Sequence, residues 1–450
     1  MPNLKAFFNP ASIALVGASR TPGKIGYSIL ENLKESFQGK IYPINPAANE
    51  ILDLKCYPSV LDIKEPIDIA IITVKAETVK SVLEECIKKK INGVIIISSG
   101  FSEISEKERE LELKKMAKGK IRIIGPNVLG IYTKGLDTLF LSKEKFKRPK
   151  EGNIAFISQS GAVGSAIMDL IGYEGIGISK FISYGNALDV DEVELLDYLG
   201  KDVETRAIAM YLESTKRGPE LIKVAKKIKT PIVCLKAGKT QKGTQAVLSH
   251  TGALAGTAEI YSGAFKQAGI IEAQTTEELF DFAKVLSSQP VLKNNKIAII
   301  TDGGGFGILS TDAAIKSGLE LPSLSKESAA ALKKILPSYA ITENPIDLTG
   351  DATAERYQKS LEIVFKDPNI SGVVCIALLQ IPTLEDSIID VLRECKIYGK
   401  PFVVCMCGGV YTIERARKLE EFGIPVYPTP ERAVKAIATL YQYGQILKKK

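Results

Sequence analysis

Short runs of apolar residues alternate with longer amphipathic segments along the whole chain. The runs at 12–16, 67–72 and 93–97 are apolar almost throughout, which is typical of strands buried on both faces of a parallel sheet. Amphipathic segments at 77–90 and 105–118 predict helices between these strands. The pattern therefore predicts a doubly wound α/β fold with helices on both faces of each sheet.

Two polar stretches interrupt this alternation, at 143–152 and 287–295, and both contain proline. A chain of 450 residues corresponds to about three domains at roughly 150 residues each. We therefore predict domains at 1–146, 147–290 and 291–450.

An internal repeat supports this division. Residues 153–164 align without a gap against residues 296–307, and each block reads as a strand, a turn of small residues and the start of a helix. The second and third domains are predicted to be two copies of a flavodoxin-like fold, and the first a Rossmann-like variant.

The charge balance narrows the class of partner. With 59 basic and 52 acidic residues the net charge is +7, and no basic stripe is interleaved with aromatic residues, so nucleic-acid binding is not expected. The mild positive charge suits a small polyanion. No apolar stretch reaches the roughly 18 residues that span a bilayer, and no signal peptide is recognised, so we expect a cytoplasmic protein without membrane contact.

Cysteine and histidine usage argues against a metal site. The seven cysteines include no C-x-x-C pair, and Cys234, Cys375 and Cys405 lie in apolar runs that predict buried thiols. The chain contains one histidine, so a His/Cys zinc site is not expected.

The first candidate site is the glycine-containing turn 17–26, which follows the first predicted strand. Its small residues would let backbone amides approach a phosphate, and Arg20 and Lys24 add positive charge. A strict G-x-G-x-x-G is absent, and no carboxylate follows the second strand, which disfavours NAD. A turn that serves only packing is the alternative.

Two further turns, 158–161 and 302–305, each end a strand and open a helix, so both are candidate anion sites. Ser160 could also suggest a serine hydrolase. That interpretation requires a G-x-S-x-G elbow, and residue 158 is serine rather than glycine.

The most specific feature is His250, which lies among Gly, Ser, Thr and Ala residues after a polar run at 237–245. A neutral imidazole there could act as a nucleophile, whereas a lone histidine is more often a structural or surface residue. A nucleophilic role requires an acceptor on the second ring nitrogen, for which Glu213 at a predicted strand end is a candidate. A solvated strand-end carboxylate is the alternative for Glu213.

At these residues the sequence resembles the alpha subunit of ADP-forming acetate–CoA ligase, a relative of succinyl-CoA synthetase. The resemblance spans nearly the whole chain, and the block around His250 with its upstream glutamate is its most specific part. The motifs that carry it are Gly17-Ala18-Ser19, 125–130 (GPNVLG), 158–161 (SQSG), 185–187 (GNA), 211–214 (YLES), 249–256 (SHTGALAG) and 344–348 (NPIDL).

The resemblance implies three reaction stages. Phosphate converts an acyl-CoA to an acyl phosphate and CoA, the acyl phosphate phosphorylates His250, and the phosphohistidine segment moves to ADP to make ATP. Glu213 would orient the imidazole. The implied CoA site comprises Gly17, Ala18, Ser19, Arg20, Lys24, Asn45, Pro46, Val74, Lys75, Ser98, Ser99, Gly100 and Asn127. The implied phosphate and acyl site comprises Ser158, Gln159, Ser160, Gly161, Asn186, Gly303, Gly304 and Gly305.

The resemblance also implies a partner. No segment of the chain reads as an ATP-grasp domain, so ADP and Mg²⁺ are expected on a separate beta subunit, in an α₂β₂ heterotetramer. The alternatives are a non-catalytic CoA-binding regulatory protein, a citrate- or succinate-specific relative, and the synthetase-like portion of a protein acetyltransferase, which would require an appended domain.

Overall fold

The fold is taken from a computed structural model that describes residues 4–251 and 257–450, without the side chains of residues 248–251. The chain forms two compact units, Met1–Glu272 and Ala273–Lys450. Among the described residues, no helix combines the length and the apolar character needed to cross a bilayer.

The first sheet has five parallel strands and is buried on both faces. Its order is β2-β1-β5-β6-β7, so the direction of winding reverses between β1 and β5. A separate antiparallel pair, β3 and β4, lies in the same segment. The strands are β1 (Ser12–Val16), β2 (Lys40–Ile44), β3 (Glu50–Ile51), β4 (Leu54–Lys55), β5 (Ile69–Ile72), β6 (Gly93–Ile96) and β7 (Arg122–Ile124). The helices are α1 (Lys5–Phe8), α2 (Ile25–Ser36), α3 (Ala76–Lys88) and α4 (Lys107–Ala117), with 3₁₀ turns at Val60–Asp62 and Ser102–Ile104.

The second sheet has seven strands in the order β14-β13-β12-β10-β11-β8-β9. The central strands β10 to β13 pair in parallel, and β8 and β9 extend the sheet in antiparallel fashion from β11. The strands are β8 (Ile131–Thr133), β9 (Leu136–Asp137), β10 (Lys150–Ser158), β11 (Gly177–Ser183), β12 (Ala207–Leu212), β13 (Ile232–Lys236) and β14 (Ile271–Ala273). The helices of this segment are α5 (Gly161–Glu174), α6 (Glu192–Leu199), α7 (Gly218–Lys227), α8 (Gln241–Thr251) and α9 (Ala258–Ala268).

The third sheet is parallel, has the order β16-β15-β17-β18-β19 and lies in the second compact unit. Its strands are β15 (Ile297–Thr301), β16 (Ile346–Asp347), β17 (Gly372–Ile376), β18 (Phe402–Cys405) and β19 (Val426–Tyr427). The helices are α10 (Thr276–Ser288), α11 (Gly304–Lys316), α12 (Lys326–Ile335), α13 (Ala354–Lys366), α14 (Ile388–Glu394), α15 (Val410–Glu421) and α16 (Pro430–Leu447), with a 3₁₀ turn at Cys395–Tyr398. The predicted doubly wound α/β fold is confirmed.

One predicted strand begins later than expected. The run 67–72 contributes only Ile69–Ile72 to the sheet, because the Asp68 backbone amide donates to the Ser12 hydroxyl at 3.0 Å instead of to a neighbouring strand. The Asp68 carboxylate accepts hydrogen bonds from the backbone amides of Ala11 and Ser12, at 2.7 and 3.1 Å. Asp68 thus caps the start of β1 instead of extending β5.

The sequence repeat has a structural counterpart. Ser158 and Thr301, which end β10 and β15, are aligned in the repeat, and so are Gly161 and Gly304, the first residues of α5 and α11. The limits 1–146, 147–290 and 291–450 stay a prediction. Strands β8 and β9 lie before residue 146 and pair with the second sheet.

Candidate active site

A cavity of about 770 Å³ opens in the first compact unit, at the carboxyl ends of strands from the first two sheets. Ligands bind at this edge in parallel α/β sheets, because loops and helix N-termini converge there. Six residues predicted to bind CoA line the cavity: Val74, Lys75, Ser98, Ser99, Gly100 and Asn127. From the predicted phosphate and acyl set, Gln159, Ser160, Gly161 and Asn186 line it too, together with Glu213.

The remaining predicted CoA residues lie in two segments, of which the first contacts the cavity lining at Thr73. The Thr73 hydroxyl lines the cavity and donates to the carbonyls of Val16 and Gly17, at 3.0 and 3.2 Å. The Asn45 side-chain amide donates to the Ala18 carbonyl at 2.8 Å, which holds the second predicted CoA segment against the first. Seven predicted residues occupy these two segments and are not part of the cavity lining: Gly17, Ala18, Ser19, Arg20, Lys24, Asn45 and Pro46.

The turn before α5 is built to present backbone amides. The Ser158 hydroxyl is buried and donates to the Ser160 carbonyl at 2.6 Å, so Ser158 shapes the turn without reaching the cavity. Ser160 caps α5, because its hydroxyl accepts from the Val163 amide at 3.3 Å. A helix N-terminus with exposed amides and a partial positive charge favours an anion at this point of the cavity.

Gln159 connects this turn to Glu213. Its side-chain oxygen accepts from the backbone amides of Glu213 and Ser214, at 2.8 and 3.0 Å. Glu213 follows β12 and is only 7% exposed. Burial and the neighbouring Glu213 carboxylate, which is hydrogen-bonded to the phenol, raise the pKa of Tyr211 to about 12. The alternative interpretation of Glu213 as a solvated strand-end carboxylate is wrong, since this residue is buried in the cavity wall.

The predicted partner of Glu213 is His250. His250 falls within the range of α8, but its side chain lies outside the described residues. The contact between His250 and Glu213 therefore stays a prediction.

Asn186 connects its own loop to the segment that follows β6. Its amide nitrogen donates to Glu103 at 2.7 Å and lies 3.0 Å from a Glu110 carboxylate oxygen. Glu103 also accepts from the backbone amides of Gly100 and Phe101, at 2.5 and 3.1 Å. Burial alone would raise the pKa of Glu103, but these hydrogen bonds outweigh it and lower the pKa.

Sequence reasoning did not single out Glu103, Arg109 or Lys216, all of which line the cavity. Glu103 follows β6 at the carboxyl edge, a position that the general rule for parallel sheets could have flagged. Arg109 lies on α4, where its guanidinium donates to the Gly100 carbonyl at 2.6 Å, and nothing in the local sequence marks it. Lys216 is an exposed residue in the segment after Glu213.

The third glycine turn belongs to the second compact unit. Gly303 is the N-cap of α11, and Gly304 and Gly305 form its first turn. The buried Asp302 carboxylate accepts from the Leu378 amide through both oxygens, at 3.2 and 3.0 Å. Burial raises the pKa of Asp302 to about 6. This turn is not among the residues that line the cavity of the first unit.

The prediction of buried thiols is confirmed for Cys234, Cys375 and Cys405. Among the residues that the structure describes, no group of three or more His, Cys, Asp or Glu side chains is arranged to hold a metal ion.

Comparison with known families covers most of the chain. The family described as "CoA binding domain" matches residues 11–134, "Succinyl-CoA ligase like flavodoxin domain" matches residues 151–286, and "Ligase-CoA domain" matches residues 297–448. These three matches, of which the first two cover the residues that line the cavity, place the chain in the succinyl-CoA ligase class of CoA-binding proteins.

Individual relatives narrow this class. Subunits alpha of acetate–CoA ligase [ADP-forming] II and I from Pyrococcus furiosus are 41% and 40% identical, over 98% of this chain and 98% of each relative. An acetate–CoA ligase [ADP-forming] from Methanocaldococcus jannaschii is 44% identical, but this chain spans only 63% of its length. A solved structure from Ca. Korarchaeum cryptofilum, dinucleotide forming acetyl-coenzyme A synthetase 1 in complex with phosphate and ADP, superimposes with a TM-score of 0.93 at 39% identity, covering 100% of this chain and 98% of that one. The chain belongs to the family of ADP-forming acetate–CoA ligases, in agreement with the resemblance seen in its motifs.

Proposed function

We propose that this chain is the alpha subunit of an ADP-forming acyl-CoA synthetase. The reaction converts acetyl-CoA or another acyl-CoA, ADP and phosphate to the free acid, ATP and CoA. The observation that carries the proposal is the shared cavity, in which six of the predicted CoA residues, the N-terminus of α5 and the buried Glu213 meet.

Different parts of the cavity lining are assigned to CoA, to phosphate and to the thioester carbonyl. CoA lies along Val74, Lys75, Ser98–Gly100 and Asn127, with its other end toward the segments 17–24 and 45–46. Phosphate is held by the amides at the start of α5, where the helix dipole offsets its charge. Asn186 borders both groups of residues, which supports our assignment of the thioester carbonyl to its vicinity. Gly303–Gly305, at the start of α11, supply a second anion-binding helix N-terminus during transfer of the phosphoryl group.

The proposed chemistry proceeds by three displacements at these residues. A phosphate oxygen attacks the thioester carbonyl, and the bond to sulfur breaks, which releases CoA and leaves an acyl phosphate. A nitrogen of neutral His250 then attacks phosphorus, and the carboxylate leaves with the electrons of the broken P–O bond. A terminal oxygen of ADP finally displaces the imidazole and forms ATP. Glu213 accepts a hydrogen bond from the second ring nitrogen, which keeps the attacking nitrogen deprotonated.

A partner subunit completes the proposed cycle. Two full-length relatives are named as subunits alpha, and the M. jannaschii relative is longer than this chain. We assign ADP and Mg²⁺ to an ATP-grasp beta subunit in an α₂β₂ assembly, where the metal would neutralise the phosphates of the nucleotide.

The test is phosphorylation of this chain by γ-labelled ATP, with Mg²⁺ and a matching ATP-grasp subunit. We expect acid-labile, base-stable label on this chain that is chased by ADP, or by acetate with CoA. His250→Ala should carry no label. Glu213→Gln should slow labelling at least tenfold, because the neutral amide stabilises the developing imidazolium less well than the carboxylate, while CoA binding measured by calorimetry stays intact.

Glu220→Gln is the matched control, since Glu220 is an exposed carboxylate on α7 whose distance to Arg217 is 3.9 Å. It should label at the wild-type rate. Intact CoA binding without any label would overturn the enzyme proposal and favour a CoA-binding regulatory protein. Label that persists in His250→Ala would overturn the assignment of the nucleophile.

A further inference from the structure

Two cysteines lie side by side at the carboxyl edge of the third sheet, in the second compact unit. Cys405 is the last residue of β18, and Cys407 follows two residues later. Their sulfur atoms are 3.6 Å apart, and both thiols are free. Cys405 is fully buried, whereas Cys407 is partly exposed. Neither residue belongs to the proposed synthetase machinery.

The backbone allows a bond between these sulfur atoms. Residues two apart in an extended chain point to the same face, and their Cα atoms are about 6.6 Å apart. Disulfides in proteins bridge Cα atoms roughly 4.4 to 6.8 Å apart, so this spacing is within range. A disulfide also needs the two Cβ atoms within about 4.5 Å of each other, so the chain at Met406, just beyond the end of β18, has to bend as the bond between the sulfurs forms.

The two thiols differ in reactivity. The hydrogen bond with Cys405 lowers the pKa of Cys407, against the opposing effects of burial and the Glu431 carboxylate. Helix α15 begins three residues after Cys407, so its positive N-terminal end also favours a thiolate there. Cys405 has a raised pKa, caused by its hydrogen bond to Cys407 and by burial, with Cys375 and Glu431 also facing it. Cys407 is therefore the accessible nucleophile and Cys405 the buried second thiol.

We infer that Cys405 and Cys407 form a reversible dithiol–disulfide site that reacts with low-molecular-weight disulfides. The Cys407 thiolate attacks one sulfur of the small disulfide, which forms a mixed disulfide and releases one small thiolate. Cys405 loses its proton to solvent and attacks the Cys407 sulfur, which forms the intrachain bond and releases the second small thiolate. The protein loses two electrons and two protons, and the small disulfide is reduced to two thiols.

The site is connected to the neighbouring loop of the same sheet. The Cys407 carbonyl accepts from the Gln380 side-chain amide at 2.7 Å. In the same loop after β17, the Leu378 amide donates to Asp302. A disulfide at the end of β18 would brace this loop at Gln380, two residues after Leu378, which holds the start of the Asp302–Gly305 turn.

The experiment treats the reduced full chain with oxidised glutathione and quenches it in acid. We expect the intact mass to fall by two hydrogen atoms and two titratable thiols to disappear in denaturant. Peptide mapping should place the bond between Cys405 and Cys407, and dithiothreitol should restore both thiols. Cys405→Ser should stop at a single glutathione adduct on Cys407, because the second thiol is missing.

Cys56→Ser is the matched control, since Cys56 is a buried thiol in the other compact unit, and it should oxidise like the wild type. A wild-type chain that keeps all seven thiols would overturn the inference. So would a wild-type chain that accumulates a stable glutathione adduct, or one whose disulfide maps to another pair. The wild-type measurement decides the question even if a variant fails to fold.

Discussion

At the scale of single residues, carboxyl groups in this protein differ according to the hydrogen bonds that reach them. Glu103 receives two backbone amides and the Asn186 amide, which lower its pKa despite burial. Asp302 receives the Leu378 amide, but it is 2% exposed, and burial dominates and raises its pKa. Two carboxyl groups that both accept backbone amides thus respond differently to pH.

Asp302→Asn is expected to become more stable relative to the wild type as pH rises. The ordinary pKa of aspartate is 3.8 and that of Asp302 is about 6 in the folded chain, so the fold favours the protonated form. The free energy of unfolding of the wild type, measured against that of Asp302→Asn, is therefore highest below pH 3.8. It falls as pH rises to about 6 and is constant above. A shift of this size corresponds to about 3 kcal/mol. Melting temperatures of both proteins from pH 4 to 8 check this, with Asp390→Asn, an exposed site on α14, as control. A difference that does not change with pH would contradict the prediction.

At the scale of elements, the proposed anion sites all lie where a strand ends and a helix begins. The turns before α2, α5 and α11 all place small residues between a buried strand and a helix N-terminus. Gly17 needs its lack of a side chain, because it has φ +94° and an added Cβ would lie 2.4 Å from the Thr73 hydroxyl. Gly23 in the same turn has φ +82° with open space around it.

Gly17→Ala should weaken CoA binding at least tenfold, a loss of about 1.4 kcal/mol. The new methyl group displaces Thr73, which lines the cavity, whereas Gly23→Ala carries a similar backbone strain without a clash. Calorimetric titration of CoA into each variant measures the difference. Equal affinities for Gly17→Ala and the wild type, with the fold retained, would show that this turn does not shape the CoA site.

The elements could be predicted from the sequence because they depend on local patterns. Apolar runs gave the central strands, and the aligned glycines 161 and 304 gave the helix starts. Asn186 and Glu103 were harder, since they are 83 residues apart and meet only because two sheets pack in one unit. The Asn186 motif was recognisable, but its carboxylate partner was not. Likewise Asp68 reads as part of a strand until its hydrogen bonds to residues 11 and 12 are known.

At the scale of the whole molecule, buried ion pairs join segments that are far apart in sequence. In the second unit, Arg432 on α16 forms two hydrogen bonds to Asp281 on α10, at 2.7 and 2.9 Å. The Asp281 side chain is only 4% exposed. The pair therefore fastens the first helix of this unit to the last.

Arg432→Ala should destabilise the second unit by about 3 to 5 kcal/mol, because it leaves a buried carboxylate without its guanidinium. Hydrogen exchange should accelerate in peptides from 276–288 and 430–447 and stay unchanged in the first sheet. Arg393→Ala is the control, since Arg393 and Asp390 form an exposed pair within one helix, at 3.3 Å. Unchanged exchange in both helices of the Arg432 variant would contradict the prediction.

The antiparallel strands β8 and β9 bear on how this protein could be divided or fused. They are encoded together with the first sheet but complete the second one, pairing with β11 through residues 131–133. A truncation that removes the residues before 147 would remove both strands and leave the β11 edge unpaired. An unpaired strand edge favours aggregation. Gene fusions and split variants should therefore keep residues 131–183 on one polypeptide, and a separately expressed first segment would present the complementary edge of β8 to other chains.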